Sequence, residues 1–160
     1  MKSSHSLLLS VVISTFLATE LRAQTGIIRV LGGNQTLNIT TGLAGGQPIP
    51  VVNSSSTLRY WRQNTNNYTK VTVRTVCANQ SFNLRVLATG VVRGVAAPEV
   101  DLLDGMLAVD LITDIQNRLP PNWTRATITL QYTASAIFAQ GNSAEMGNDV
   151  HTVTYTIQVQ

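Results

Sequence analysis

The chain is poor in charge, histidine and cysteine. Only 12% of its 160 residues are charged, and it contains two His and one Cys. A single Cys excludes an internal disulfide framework and a Cys-based zinc site. The scarcity of charge and of His leaves few groups for acid–base or metal chemistry. We therefore expect a protein that is not an enzyme, with no catalytic residues, no cofactor, no cofactor-binding residues and no metal ligands.

Basic residues are few and scattered. After residue 23 the chain has nine basic residues (eight Arg and Lys70) and seven acidic ones, which leaves a formal net charge of +2. No run of basic residues occurs, so nothing favours nucleic-acid binding. The sequence predicts a nearly neutral protein whose polarity is carried by its 18 Thr and 12 Asn residues in that range.

The N-terminus has the anatomy of a secretory signal peptide. Lys2 supplies a positive charge, Leu7 to Leu17 is an apolar stretch, and Ala23 places a small residue before Gln24. An apolar run of about a dozen residues is too short for a bilayer core, which takes about 20 residues of helix. The sequence predicts a cleaved signal peptide over 1–23 and one domain over 24–160, with no membrane span after cleavage. The expected location is secreted, periplasmic or at the cell surface of a bacterial envelope.

Apolar and polar residues alternate in several segments, which is typical of strands with one buried and one solvated face. The alternation is strongest in four segments: Val71–Thr75, Phe82–Val86, Ala126–Tyr132 and Val153–Val159. Weaker strands are predicted at Ile27–Leu31, Gln35–Thr41, Thr57–Arg62 and Val91–Val95. Gly32-Gly33-Asn34 is predicted to join the first two as a short hairpin turn.

The apolar positions of these segments predict the hydrophobic core. It comprises Leu37, Ile39, Val71, Val73, Phe82, Leu84, Val86, Ile128, Leu130, Tyr132, Val153, Tyr155 and Ile157.

One segment departs from the alternation. Five aliphatic residues recur every four positions and are followed by a Pro pair: Leu103, Leu107, Leu111, Ile115 and Leu119, then Pro120-Pro121. This spacing predicts one short helix near 106–117. With the strands and the turns between them, the sequence predicts an all-β, immunoglobulin-like antiparallel sandwich of seven to nine strands and one short helix.

Aromatic residues supply the candidate ligand site. Tyr60, Trp61 and Trp123 combine apolar ring faces with polar edges, which suits stacking on a sugar or a similar ligand. The alternative is that one or both Trp residues fill the core. If the rings are exposed, the function would be that of a secreted carbohydrate- or ligand-binding β-sandwich module.

Cys77 and His151 are the residues that a nucleophilic or metal site would need. Cys77 lies on the apolar side of its strand, which indicates a small buried residue; a reactive thiol or an intermolecular disulfide is the alternative. His151 is the only His after residue 23 and is expected to be a solvated strand-end residue. No nucleophile-elbow motif accompanies it. Two loops carry oxygen ligands of the kind that calcium takes: Glu99, Asp101 and Asp104 in one, and Asn142, Glu145, Asn148 and Asp149 in the other. Neither has EF-hand spacing, so solvated loop acids are expected in both.

The last third of the chain resembles a known type of subunit. It begins with a predicted short helix, Asp110–Ile115, and a proline turn. The strand Ala126–Tyr132 and the closing segment Asp149–Ile157 follow. This order is similar to that of secreted bacterial pilin-like and spore-coat-protein-U-like β-sandwich subunits, in which a closing strand of alternating Thr and aliphatic residues is common. Such subunits often carry a Cys pair, whereas this chain has only Cys77. The resemblance implies assembly or a surface role and carries over no catalytic residues.

These observations predict an exported, non-enzymatic structural or adhesive cell-surface protein, a pilin-like or coat-like subunit. The expected partners are protein, through self-assembly or other surface subunits, or extracellular matrix or carbohydrate. Thr-rich strands at a sheet edge would pair with another chain by strand addition.

Overall fold

The computed structural model describes residues 26–40, 46–62, 67–116, 125–140 and 147–160. The predicted signal peptide over 1–23 lies outside these residues. The described part of the chain has no α-helix and one 3-10 turn, Phe138–Gln140, so it has no helix able to cross a membrane. It has nine strands: β1 Gly26–Leu31, β2 Val51–Arg62, β3 Thr69–Val76, β4 Asn83–Thr89, β5 Val95–Ala96, β6 Val100–Leu102, β7 Val109–Ile115, β8 Ala126–Ser135 and β9 Thr152–Val159.

The strands form two antiparallel sheets in an all-β, sandwich-like fold. The five-stranded sheet has the order β1-β2-β8-β4-β6, and the four-stranded sheet has the order β5-β7-β3-β9. Residues of both sheets meet in one hydrophobic core. In β8, Ala126, Ile128, Leu130 and Tyr132 are buried, whereas Thr127 between them is exposed. The alternation read in the sequence therefore places one face of each strong strand in the core.

Much of the predicted core is confirmed. Six of its residues are buried (Val71, Val73, Val86, Ile128, Leu130 and Tyr132), and five pack against these while partly buried (Leu37, Leu84, Val153, Tyr155 and Ile157). Ile39 and Phe82 are half-buried outside this cluster. The core also contains large residues that the sequence prediction omitted: Leu58, Tyr60, Leu102, Leu111, Ile112 and Ile115.

The predicted helix near 106–117 is wrong over the residues that the structure describes, because Val109–Ile115 form strand β7. Positions four apart share a face in a strand as well as in a helix, so the spacing of the aliphatic residues did not distinguish the two. The β-branched residues of this segment favour the strand. Leu111, Ile112 and Ile115 are all buried, and the pairing of β7 with β3 shifts register at Val71. This irregularity explains why the segment does not alternate strictly.

The predicted hairpin after β1 is also corrected. Gly32 and Gly33 have φ values of 117° and 64°, so the chain does turn there. The turn leads into residues 35–40, which form no strand, and β1 instead pairs with β2. Of the weak strand predicted at Val91–Val95, only Val95 lies in a strand, the two-residue β5.

Candidate functional site

Strand β9 is an edge strand of the four-stranded sheet. It pairs with β3 through eight consecutive residue pairs, from Val76↔Thr152 to Thr69↔Val159, without a register shift. Natural edge strands are usually protected by short length, charged side chains, Pro or bulges. β9 has eight residues and contains no charged residue and no Pro. Among the residues that the structure describes, no strand pairs with its outer edge, which is a long, regular row of backbone donors and acceptors without charge, Pro or bulge.

The inner face of β9 is held firmly. Val153, Tyr155 and Ile157 pack against the core. The Tyr155 hydroxyl also shares a 2.6 Å hydrogen bond with the hydroxyl of Tyr132 on β8, in the opposite sheet. Burial raises the pKa of both tyrosines. The strand is thus fixed on one face and along one edge, while Thr156 on the other face is exposed.

Tyr60 and Trp61, the two residues of the predicted ligand site that the structure describes, do not form one surface. Tyr60 is 1% exposed, and its hydroxyl donates a 2.6 Å hydrogen bond to the carbonyl oxygen of Arg93. Successive residues of a strand point to opposite faces, so Trp61 lies on the outside of the same strand. Trp61 is half-buried, with the Arg125 guanidinium 4.7 Å from its ring centroid. Trp123 lies outside the described residues. Tyr60 offers no ring face to a ligand, and Arg125 covers one face of Trp61.

The burial of Tyr60 predicts a pH dependence of stability. Desolvation raises the pKa of Tyr60 to about 12, although the positive charge of Arg93 acts to lower it. An unfolded tyrosine loses its proton near pH 10. Stability from the neutral phenol is therefore present below pH 10 and is lost as the pH rises from about 10 to 12. Urea unfolding at pH 9 and pH 11.5 should show a lower free energy of unfolding at the higher pH, and a smaller decrease in Tyr60→Phe. Tyr68→Phe, at an exposed tyrosine, is the control; an equal decrease in Tyr60→Phe and the parent would contradict this prediction.

The register between β3 and β9 brings together two residues that lie far apart in sequence. Val76 pairs with Thr152 at the end of the ladder, and Cys77 and His151 are the next residues beyond this pair. Asp149 completes the group: one ligand atom from each of the three side chains lies within 4.8 Å of the others. We call these three residues the 77–149–151 cluster. Cys77 is buried, as predicted, while Asp149 and His151 are half-buried.

Hydrogen bonds from neighbouring loops fix the cluster. The Asp149 carboxylate accepts a bond of 2.7 Å from the Phe82 backbone N–H and bonds of 3.0 and 3.1 Å from the Ser81 N–H. The Cys77 N–H donates a 2.7 Å bond to the Asp104 carboxylate. Nδ1 of His151 lies 3.3 Å from the Thr75 hydroxyl. Asp149 is therefore a structural acceptor and not the solvated loop acid that the sequence predicted.

The electrostatics of the cluster disfavour a thiol nucleophile. Burial raises the pKa of Cys77, and the carboxylates of Asp149 and Asp104 raise it further. Reactive cysteines need the opposite environment, which lowers the thiol pKa. Burial lowers the pKa of His151 although the same two carboxylates oppose this. The thiol and the imidazole are thus both held in their neutral forms.

The sequence prediction treated Cys77, Asp149 and His151 separately and missed the cluster. The sequence did contain a signal for the cluster, because alternation predicted strong strands at Val71–Thr75 and Val153–Val159, next to Cys77 and His151. Only their pairing and its register, however, place residue 77 beside residue 151. No family model, curated protein or solved structure matches the chain.

Proposed function

We propose that this protein is an exported, non-enzymatic structural or adhesive subunit of a bacterial cell surface, of pilin-like or coat-like type. It assembles by adding a strand of a second copy of the chain to the free edge of β9. The observation that carries this proposal is the edge itself, which no strand covers in the part of the chain that the structure describes: eight residues, no charge, no Pro and an unbroken ladder to β3. Strand addition gains main-chain hydrogen bonds along such an edge.

The composition of the strand supports the same conclusion. Thr152, Thr154 and Thr156 alternate with residues that pack inward, so the strand is uncharged and polar on its outer face. Thr fits a pleated, half-exposed surface and does not repel an approaching strand. The low charge of the whole chain acts in the same direction, because like charges directly opposite each other destabilise strand pairs.

The finer architecture belongs to the proposal as well. We assign the two sheets to an immunoglobulin-like sandwich in a single domain, supported by the nine antiparallel strands of the described residues and the core that they share. Export is supported by the signal-peptide pattern over 1–23, which directs the domain to the periplasm, the cell surface or the medium. A non-enzymatic role is supported by the neutral, buried thiol of Cys77, the residue that a Cys–His hydrolase would use.

A charge placed on the edge strand tests the proposal. The full chain is expressed in a bacterium with an outer membrane, purified from the exported fraction, and studied by sedimentation velocity over a wide concentration range. The parent protein should form oligomers whose size increases with concentration. Thr156→Glu should reduce this assembly strongly, because a charged side chain on an edge strand opposes pairing with another strand.

The matched control is Thr127→Glu. Thr127 is also an exposed Thr, but it lies on β8, an inner strand of the five-stranded sheet, where it pairs with Arg59 of β2. Thr127→Glu should assemble as the parent does. A parent protein that stays monomeric at every concentration would overturn the proposal. So would retention in the cytoplasm, or equal assembly of Thr156→Glu and the parent.

A further inference from the structure

The 77–149–151 cluster has a chemistry that strand pairing does not use. Its three side chains supply sulfur, carboxylate oxygen and imidazole nitrogen, which are the three kinds of ligand atom that bind zinc in proteins. Ligand atoms around a tetrahedral zinc ion are roughly 3.3 to 3.8 Å apart, given bonds of about 2.0 to 2.3 Å. The atoms of the cluster lie within 4.8 Å of one another. A shift of about an ångström or less in each side chain would bring them to coordination distance.

The surroundings of the cluster resemble the outer shell of a metal site. Ligating carboxylates are commonly fixed by further hydrogen bonds, and Asp149 is fixed by the backbone N–H groups of Ser81 and Phe82. A carboxylate has about four lone-pair positions, so these bonds leave it able to bind a cation. The backbone of Cys77 is fixed in turn by Asp104. The half-buried side chains of Asp149 and His151 give the ion access from solvent.

We propose that the 77–149–151 cluster binds one Zn²⁺ ion. The protein ligands are Sγ of Cys77, a ring nitrogen of His151 and a carboxylate oxygen of Asp149, with water at the fourth position. The bond to sulfur replaces the thiol proton, which leaves to solvent. Thiolate and carboxylate then balance the two positive charges of the ion. The mixed sulfur, nitrogen and oxygen set selects zinc over calcium or magnesium, which take oxygen ligands.

This inference revises the expectation that the chain has no metal ligands. That expectation counted one Cys and one His and regarded Asp149 as a solvated loop acid. The structure adds Asp149 as the third ligand and places all three residues where the end of β3 meets the segment that leads into β9. Zinc bound there would join these two segments and would stabilise the folded chain by mass action.

The direct test is metal binding by the full chain, reduced and freed of metal by a chelator. Titration with Zn²⁺ by calorimetry should show saturable binding of one ion per chain. Titration with Co²⁺ should give visible absorption of tetrahedral cobalt and a thiolate-to-cobalt charge-transfer band in the near ultraviolet. The charge-transfer band reports the bond to sulfur and is independent of any assembly of the protein.

Two variants test the ligands, and a third is the control. Cys77→Ser should lose the charge-transfer band, and His151→Gln should bind zinc at least about tenfold more weakly, since even outer-shell changes reduce metal affinity by about that factor. Asp101→Asn is the control, because the Asp101 side chain is 71% exposed and lies outside the cluster; it should bind as the parent does. Circular dichroism checks that each variant is folded. If Cys77→Ser does not fold, His151→Gln decides the test.

Clear outcomes would overturn the zinc site. These are absence of saturable binding by the parent, a cobalt spectrum without the charge-transfer band, or affinity in His151→Gln equal to that of the parent. The zinc site would also be overturned if Asp101→Asn lost as much affinity for zinc as His151→Gln does. None of these results bears on assembly through β9, so the two proposals fail or stand separately.

Discussion

Substituting Gly94 by Ala should lower the free energy of unfolding by about 3 kcal/mol. This is the sum of two costs, that of placing a side chain on a left-handed backbone and that of overpacking the site. Gly94 precedes β5 and has a φ of 90°, a conformation that residues with a side chain rarely adopt. A Cβ at this position would overlap the carbonyl oxygen of Thr113 and would lie 2.8 Å from Cγ2 of Ile112. The chain could accept the methyl group only by moving β5 away from β7. Urea unfolding followed by circular dichroism measures the effect.

Gly90 provides the matched control for this prediction. It has a φ of 70°, but a Cβ placed there would have no heavy atom within 4 Å apart from its own neighbours. Gly90→Ala should therefore show the conformational cost alone, about 1 kcal/mol. If Gly94→Ala destabilises the protein no more than Gly90→Ala does, the close approach of the Gly94 backbone to β7 is not important for stability.

Replacing Asp149 by Asn should lower the free energy of unfolding by about 2 to 4 kcal/mol, because hydrogen bonds to a charged group contribute about 1.5 to 3 kcal/mol each. The carboxylate accepts from two backbone N–H groups, those of Ser81 and Phe82. Oδ2 accepts from both N–H groups and Oδ1 from that of Ser81 alone, so an amide oxygen in the Oδ2 position would keep both partners, while its NH₂ group would face the Ser81 N–H and the negative charge would be lost. We expect the connection between β3 and β4 to loosen, with faster hydrogen exchange at residues 81 and 82.

The measurement is made in the presence of a chelator, so that loss of a bound metal does not contribute to the difference. Asp101→Asn removes a carboxylate that is exposed and lies 3.9 Å from Arg85. It should change stability by less than about 0.5 kcal/mol, as is usual for surface substitutions. Equal stability of Asp149→Asn and the parent would mean that solvent replaces these hydrogen bonds without a free-energy cost.

The strands were predictable where alternation is strong. Ala126–Tyr132 and Val153–Val159 are strands in the structure, because a sheet with one buried face requires a period of two residues. The segment around Leu111 and Ile115 was assigned to the wrong element because residues four positions apart lie on the same face both in a helix and in a strand. Which element forms there was decided by the pairing of β7 with β3 and β5.

The candidate sites were predictable only in part. A Thr-rich strand suited to an edge was visible in the sequence, and β9 does lie at an edge. Tyr60 was expected beside Trp61 as a ligand contact, yet it is a core residue bonded to the backbone of Arg93. Two neighbours in a strand face opposite ways, and the sequence did not say which of the two faces is buried.

The sequence by itself determined that this protein is all-β, poor in charge and built around aliphatic residues that recur every second position. These are local properties, set by side-chain chemistry and by the geometry of a single strand. Only the tertiary structure decided which strand lies at an edge, and which side chains meet across the β3–β9 pair. Both depend on pairing between segments more than 70 residues apart. One step of register would flip every side chain to the other face, so the 77–149–151 cluster exists only in the register that the core selects.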